Sequence, residues 1–230
     1  MRRALIVVAA GLAAGMVGAC GGHSSAPKAD APTLLRQAKA TIDATDSVHF
    51  VLTSQGVSSG GTDLTGGEGD LARPDELQGS FMVNVNGLGV SVKVVSKGGV
   101  FEALLPFQTH YGRTNPASFG LTDPSQLLDP THGLSNLLTI GTGATVTGQE
   151  RIAGELLYEV TSTVPGSAIP VLPDANPTRP VTLVAAINPQ SHQVRQITLT
   201  GPFTSASNNS TFVVTLTKYG EAVTITLPPT

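Results

Sequence analysis

Two stretches of strict alternation constrain this chain more than anything else in it. In "SFMVNVNG" (residues 80–87) Phe81, Val83 and Val85 fall on one side and Met82 and Asn84 on the other, and in "GVSVKVVSKGG" (residues 89–99) Val90, Val92 and Val94 repeat the pattern. A period of two sends successive side chains to opposite faces, so each stretch is a strand that is apolar on one face only. Strands of a buried parallel sheet read as continuous apolar runs. Half-polar alternation therefore predicts an antiparallel sheet wetted on one side.

The same reading extends along the chain. "SVHFVLTSQG" (residues 47–56) carries Val48, Phe50 and Leu52 on one side, and "GVFEALL" (residues 99–105) follows a Gly98-Gly99 turn. Further strands are predicted in "ATVTGQERIAGELLYEVTSTV" (residues 144–164), with its hairpin turn expected at residues 148–150. "VTLVAAI", "VRQITLT", "STFVVTLTKYG" and "AVTITL" close the chain as four more strands. "GTDLTGGEGD" (residues 61–70) has four glycines in ten residues and reads as a flexible hairpin loop.

Helical periodicity is confined to two places. "TLLRQAKATIDAT" (residues 33–45) puts Leu34, Leu35, Ala38 and Ile42 on one face, with Asp30 or Thr33 as its cap and Pro32 in its first turn. In "TDPSQLLDPTHGLSNLLTI" (residues 122–140) Asp123 caps a helix opened by Pro124. Pro130 ends it, and Leu134, Leu137 and Leu138 begin a second short one. The proline-rich residues 164–180 have room for one helical turn at most. The expected class is α+β: one large antiparallel sheet of about ten strands, which at that size curls and needs its hollow side covered.

The N-terminus says where the domain goes. Arg2 and Arg3 precede an uncharged apolar run, residues 4–17, too short at 14 residues to span a bilayer core that needs roughly 20. It reads as a signal peptide, residues 1–19. Val17, Gly18, Ala19 and Cys20 match the bacterial lipobox, in which the cysteine takes a diacylglycerol and becomes the acylated N-terminus. That use explains why Cys20 is the only cysteine in 230 residues, and why the exported domain has no internal disulfide. No cofactor is expected beyond this covalent diacylglycerol and N-acyl group. Residues 20–32 read as the acylated cysteine and a tether, and residues 33–230 as one domain. Removing the signal leaves 11 basic and 16 acidic residues, a balance unsuited to nucleic acid.

"DPSQLLDPTHGLSNLL" (residues 123–138) and the ending "LTKYGEAVTITLPP" (residues 216–229) resemble the mycobacterial LppX/LprAFG lipoproteins. The helix before "SVHFVLT" and the strand "VTLVAAI" are similar too, so the resemblance spans the mature chain. It lapses at Lys97-Gly98-Gly99 with Val100-Phe101, and in residues 106–120. The resemblance implies a half-barrel of antiparallel strands with a few helices over its concave face, enclosing an apolar cavity for the acyl chains of envelope lipids. It further implies a membrane-tethered carrier or presenter of acylated lipids or lipoglycans on the outer side of the cell membrane. Its acylated terminus would be open to host Toll-like receptor 2; a membrane exporter is the partner expected only on the alternative reading, in which the protein acts through other proteins.

From the resemblance and the alternation together, the expected cavity wall takes Val48, Phe50 and Leu52 from the first strand and Phe81, Val83, Val85, Val92, Val94 and Phe101 from the middle strands. Leu127, Leu134 and Leu138 come from the helical insert. Tyr158, Val160, Leu183, Ile197, Phe212 and Val214 come from the later strands. Such a wall needs no directional recognition, because burial of methylenes scales with area.

Rival chemistry is thin. Residues 56–60 fit G-x-S-x-G around Ser58, but no helix follows to form a nucleophile elbow. The five histidines, His23, His49, His110, His132 and His192, show no metal-ligand spacing. Gly141-Thr142-Gly143 lacks the third glycine of a dinucleotide loop, and "NNST" (residues 208–211) reads as a turn. The expected protein is not an enzyme. The alternative to a carrier is a surface or scaffold lipoprotein that acts through protein partners.

Overall fold

The computed structural model describes residues 30–57, 62–119, 122–169, 179–203 and 208–229. The expected signal peptide, Cys20, His23 and Ser58 lie outside these residues.

Helix α1 (Ala31–Asp43) is capped by the Asp30 carboxylate, which accepts from the Thr33 N–H at 3.1 Å. Of the two predicted caps, Asp30 is the one used. Ala31 is already buried, so the folded domain begins ahead of the expected boundary at residue 33.

Among the described residues one sheet holds eleven strands, all paired antiparallel. Strands β1 (Ser47–Gln55), β2 (Thr62–Ala72), β3 (Glu76–Val85), β4 (Leu88–Lys97), β5 (Val100–Leu104) and β6 (Gly112–Arg113) form one meander. Strands β7 (Thr142–Ile152), β8 (Glu155–Pro165), β9 (Pro180–Ile187), β10 (Val194–Gly201) and β11 (Ser210–Thr217) form another. β1 and β11 pair, so the two meanders join edge to edge and β6 and β7 end the sheet.

The register defines two rims. Thr142, Thr163, Thr182, Thr200 and Thr211 pair in succession, and Thr211 pairs with Gln55. On this threonine rim lie the start of β2 and the turn between Val85 and Leu88. The opposite rim holds Ser47, Glu76, Lys97 and the connection from Ile187 to Val194.

The link from β6 to β7 carries the insert across the inner face. Asp123 caps a 3₁₀ turn, Pro124–Leu128, and helix α2 (Leu134–Ile140) follows. The first of these expected helices is thus a tighter single turn, cut short as Pro130 requires. Leu34, Leu35, Ala38 and Ile42 of α1 and Leu134, Leu137 and Leu138 of α2 join the inner faces of the strands in one continuous core.

Three sequence expectations are corrected. The glycine-rich stretch at 61–70 is not a loop within the described residues: it is most of β2, paired on both sides. The hairpin between β7 and β8 turns at Ala153 and Gly154, not at residues 148–150, where β7 instead carries an irregularity between Val146 and Gly148. A β-bulge glycine and a turn glycine look alike in sequence. Finally, "AVTITL" is not a strand. Both edges of β11 are occupied by β1 and β10, so no ladder position remains for a following segment. The chain turns at Lys218 and runs as a strap over the outer face. There the Gly220 N–H donates to the Ser47 carbonyl at 2.9 Å, and the Lys97 ammonium donates to the Ile225 carbonyl at 2.9 Å. Ile225 is fully buried against Ala72 and Val95.

Candidate functional site

The sheet's inner face is hollowed by glycine. Register places Val214, Leu52, Gly67, Phe81 and Val92 in one row across five strands, and Leu216, Phe50, Gly69, Gly79 and Val94 in the next. At Gly67 a ring from the neighbouring strand takes the place of the missing side chain, and at Gly69 and Gly79 the facing backbones approach into it. A Cβ on Gly67 would stand 2.7 Å from Cδ1 of Phe81, so the Phe81 ring rests in the space that any other residue would claim. Phe50 meets Phe81 at 5.9 Å between centroids, and Phe203 meets Phe212 edge-on at 5.2 Å.

Between this hollow and the insert lies an apolar void of about 50 Å³. Phe50, Leu52, Leu64, Phe81, Leu199, Phe212 and Val214 wall it from the sheet, and Pro124, Leu127, Leu134 and Ile169 cover it. Every lining residue is apolar, so the space can hold hydrocarbon and offers no group for covalent or acid–base chemistry. Its volume is under two water shares of about 30 Å³ each, against roughly 300–1,000 Å³ for ligand-sized sites. The expected roomy cavity is therefore mostly filled by the protein's own side chains.

A second cleft of about 320 Å³ adjoins it, shares Leu127 and Ile169, and has a mixed wall of apolar surface with scattered polar groups. Its remaining wall includes Thr122, Asp123, Gln126, Thr131, His132 and Asn136. The loop beside it is preorganised by Asp129. This carboxylate accepts from the Thr131 hydroxyl at 2.6 Å, the Thr131 N–H at 2.9 Å and the His132 N–H at 2.7 Å. These bonds, the Thr131 hydroxyl foremost, hold its pKa down to about 2.

The cover is fastened to α1 rather than to the strands. The Lys39 ammonium donates to the Pro130 carbonyl and, at 3.2 Å, to the Ser135 hydroxyl, whose proton goes to Asp43 at 2.6 Å. Against the sheet the insert makes apolar contacts and the long Ser96-to-Asp123 hydrogen bond at 3.4 Å.

Seven of the residues expected in the wall do face the void: Phe50, Leu52, Phe81, Leu127, Leu134, Phe212 and Val214. Val48, Val83, Val92, Val94, Phe101, Leu138, Val160, Leu183 and Ile197 are instead packed in the core on the same inner face, and Tyr158 is half-buried against it. They fill the hollow on either side of the void. Val85 is a plain correction, since it is 39% exposed at the tip of the β3–β4 hairpin. Alternation identifies a face but not how far along the strand the cover extends. Leu64, Pro124, Ile169 and Leu199 were missed. Leu64 and Ile169 sat in stretches read as loop, whereas Leu199, two residues after Ile197, shares its face and was legible.

The sequence profile of the LppX_LprAFG lipoproteins matches residues 30–225. LprG of Mycobacterium tuberculosis, named a lipoarabinomannan carrier protein, is 32% identical over 235 residues, 99% of this chain and 96% of its own. LppX of Mycobacterium bovis, named a putative phthiocerol dimycocerosate transporter, is 28% identical over 182 residues, 74% of this chain and 72% of its own. In three dimensions the crystal structure of LprF from Mycobacterium bovis superposes with a TM-score of 0.69 at 20% identity, covering 86% of this chain and 96% of that one. The fold is thus shared with LprF, the sequence with LprG and LppX, and this chain belongs to the LppX_LprAFG lipoprotein family.

Proposed function

We propose that this protein is a non-enzymatic lipid carrier, anchored to the membrane through acylated Cys20, that shelters the acyl chains of an envelope glycolipid or lipoglycan in its glycine-hollowed sheet. The carrying observation is the juxtaposition, across Leu127 and Ile169, of a wholly apolar void with a wider cleft whose mixed wall carries hydroxyl, amide, carboxylate and imidazole groups. Tails in the first leave a sugar or phosphate headgroup in the second, where hydroxyl, amide and imidazole groups replace water.

Loading requires the void to widen, and the fastening of the cover supports this. α1 and the insert are tied to one another through Lys39, Asp43 and Ser135, so they can shift as a unit over apolar contacts with the sheet, once the Ser96–Asp123 and Arg73–Ile42 hydrogen bonds at the margins give way. The hydrocarbon that enters replaces those contacts at about 0.8 kcal/mol per methylene.

Organic extracts of the protein purified from a mycobacterial host, read by mass spectrometry, test this. The expected result is acylated lipid in near-equal amount to protein, lost in Phe81→Asp, which sets an unpaired charge against the tails. Lipid-free wild-type protein overturns it. The small void favours a second reading, a surface lipoprotein acting through a protein partner with its hollow merely a core. Under that reading Phe81→Asp leaves the partner bound.

A further inference from the structure

The cleft beside the void, at about 320 Å³, falls inside the range of roughly 300–1,000 Å³ for ligand sites that the void itself misses. Its charge is one-sided. Asp123 brings a carboxylate to the wall, and among the described residues no lysine or arginine lines it. The sequence accounts for this, because the segments that build the wall lie in stretches without such cations. There is no lysine or arginine between Arg113 and Arg151, nor between Arg151 and Arg179. Arg151 itself lies at the far end of β7, where its guanidinium donates to the Gly154 carbonyl at 3.1 Å. Lys39 reaches the neighbouring loop at Pro130 but is matched by Asp43 at 2.9 Å. Among the described residues of the wall His132 alone can gain a positive charge, and its Nδ1 stands 3.2 Å from the Asp129 carboxylate, which matches it.

The hydrogen-bonding groups left over have a direction as well. Oδ1 of Asp123 accepts from the Ser125 N–H at 2.9 Å, the Ser125 hydroxyl at 2.8 Å and the Ser96 hydroxyl at 3.4 Å, while Oδ2 accepts nothing from the described residues. The side-chain amides of Gln126 and Asn136, in the same wall, are likewise without a protein partner among the described residues. A carboxylate oxygen only accepts, so a ligand must bring it a donor; a hydroxyl does so and a phosphodiester does not. Amides exchange bonds with hydroxyls in either sense. The donors that suit an anion are missing or spent: there is no guanidinium or ammonium, and the Thr131 and His132 N–H groups already serve Asp129. Leu127, Ala168 and Ile169 supply an apolar part of the wall, which suits the C–H face of a sugar ring.

We infer that this cleft selects an uncharged sugar headgroup, whose hydroxyls serve Asp123, Gln126 and Asn136, and that the Asp123 carboxylate discriminates against lipids carrying a phosphodiester at that place. The inference rests on the carrier reading above and narrows the headgroup that it leaves open.

Native mass spectrometry of the full acylated chain in a polyoxyethylene detergent tests it, with glucosyl-diacylglycerol and phosphatidylinositol of identical tails offered in equal amounts. Each headgroup is one polyol ring, and the phosphodiester charge sets them apart. The expected result is glucosyl-diacylglycerol bound over phosphatidylinositol by roughly tenfold, the order of one like-charge repulsion at a partly wet surface. Asp123→Asn, which keeps a side chain able to cap the 3₁₀ turn, narrows that gap. Gln126→Lys, at an exposed position, sets a cation in the wall and shifts occupancy towards phosphatidylinositol. Equal occupancy or a preference for phosphatidylinositol in the parent chain, or a gap unchanged in both variants, overturns the inference and leaves the carrier reading standing. Binding of neither lipid overturns the carrier reading and the inference with it.

Discussion

Gly67 decides whether the sheet has a hollow at all. Its absent side chain is the space that the Phe81 ring occupies, with the Ser80 carbonyl 2.9 Å from where a Cβ would stand. Gly67→Val is therefore expected to cost about 1–3 kcal/mol by overpacking, and to push Phe81 out of contact with Phe50. Denaturant unfolding measures the first effect, and the lipid content of the purified protein, expected to fall, measures the second. The glycines also explain why β2 went unread. Three glycines in four positions, 66, 67 and 69, signal a loop when taken alone. Only the Phe81 ring against Gly67, and the close backbones of β1 and β3 against Gly66 and Gly69, make them the right residues for a strand there.

The loop between the 3₁₀ turn and α2 is an acid-sensitive joint. The Asp129 carboxylate titrates at about 2 against an ordinary 3.8, so its hydrogen bonds stabilise the fold fully above pH 3.8 and fail as the pH falls towards 2. Asp129→Asn is expected to flatten the loss of stability across that window relative to the parent chain, as followed by circular dichroism. The caps and breaks of this insert were legible, because Asp-Pro and a second proline act through local sterics and local hydrogen bonds. The alternating strands β3, β4, β10 and β11 were legible for the same reason. The C-terminal strap was not. Val223, Ile225 and Leu227 alternate like a strand, and only the occupied edges of β11 show that they pack flat against the outer face.

That strap reaches from β1 to β4, donating and accepting at Ser47 and receiving the Lys97 ammonium at Ile225. It braces the outer side of the strands whose inner side carries the void. Ile225→Ala is expected to cost about 2–4 kcal/mol, read as a lowered denaturation midpoint with an unchanged slope. The number and order of strands on each side of the β1–β11 seam, and hence the size of the void, depend on contacts between distant segments. Alternation carried the face of each strand but not its neighbour.

The seam itself has a consequence for how the molecule is made. His49 pairs with Thr217, so β1 is among the first strands a ribosome delivers and its partner among the last. Through synthesis and secretion the free edge of β1 waits unpaired, a ready template for strands of other chains. The two meanders can assemble locally, but the β1–β11 seam closes only when β11 arrives, and that long-range encounter is expected to slow maturation.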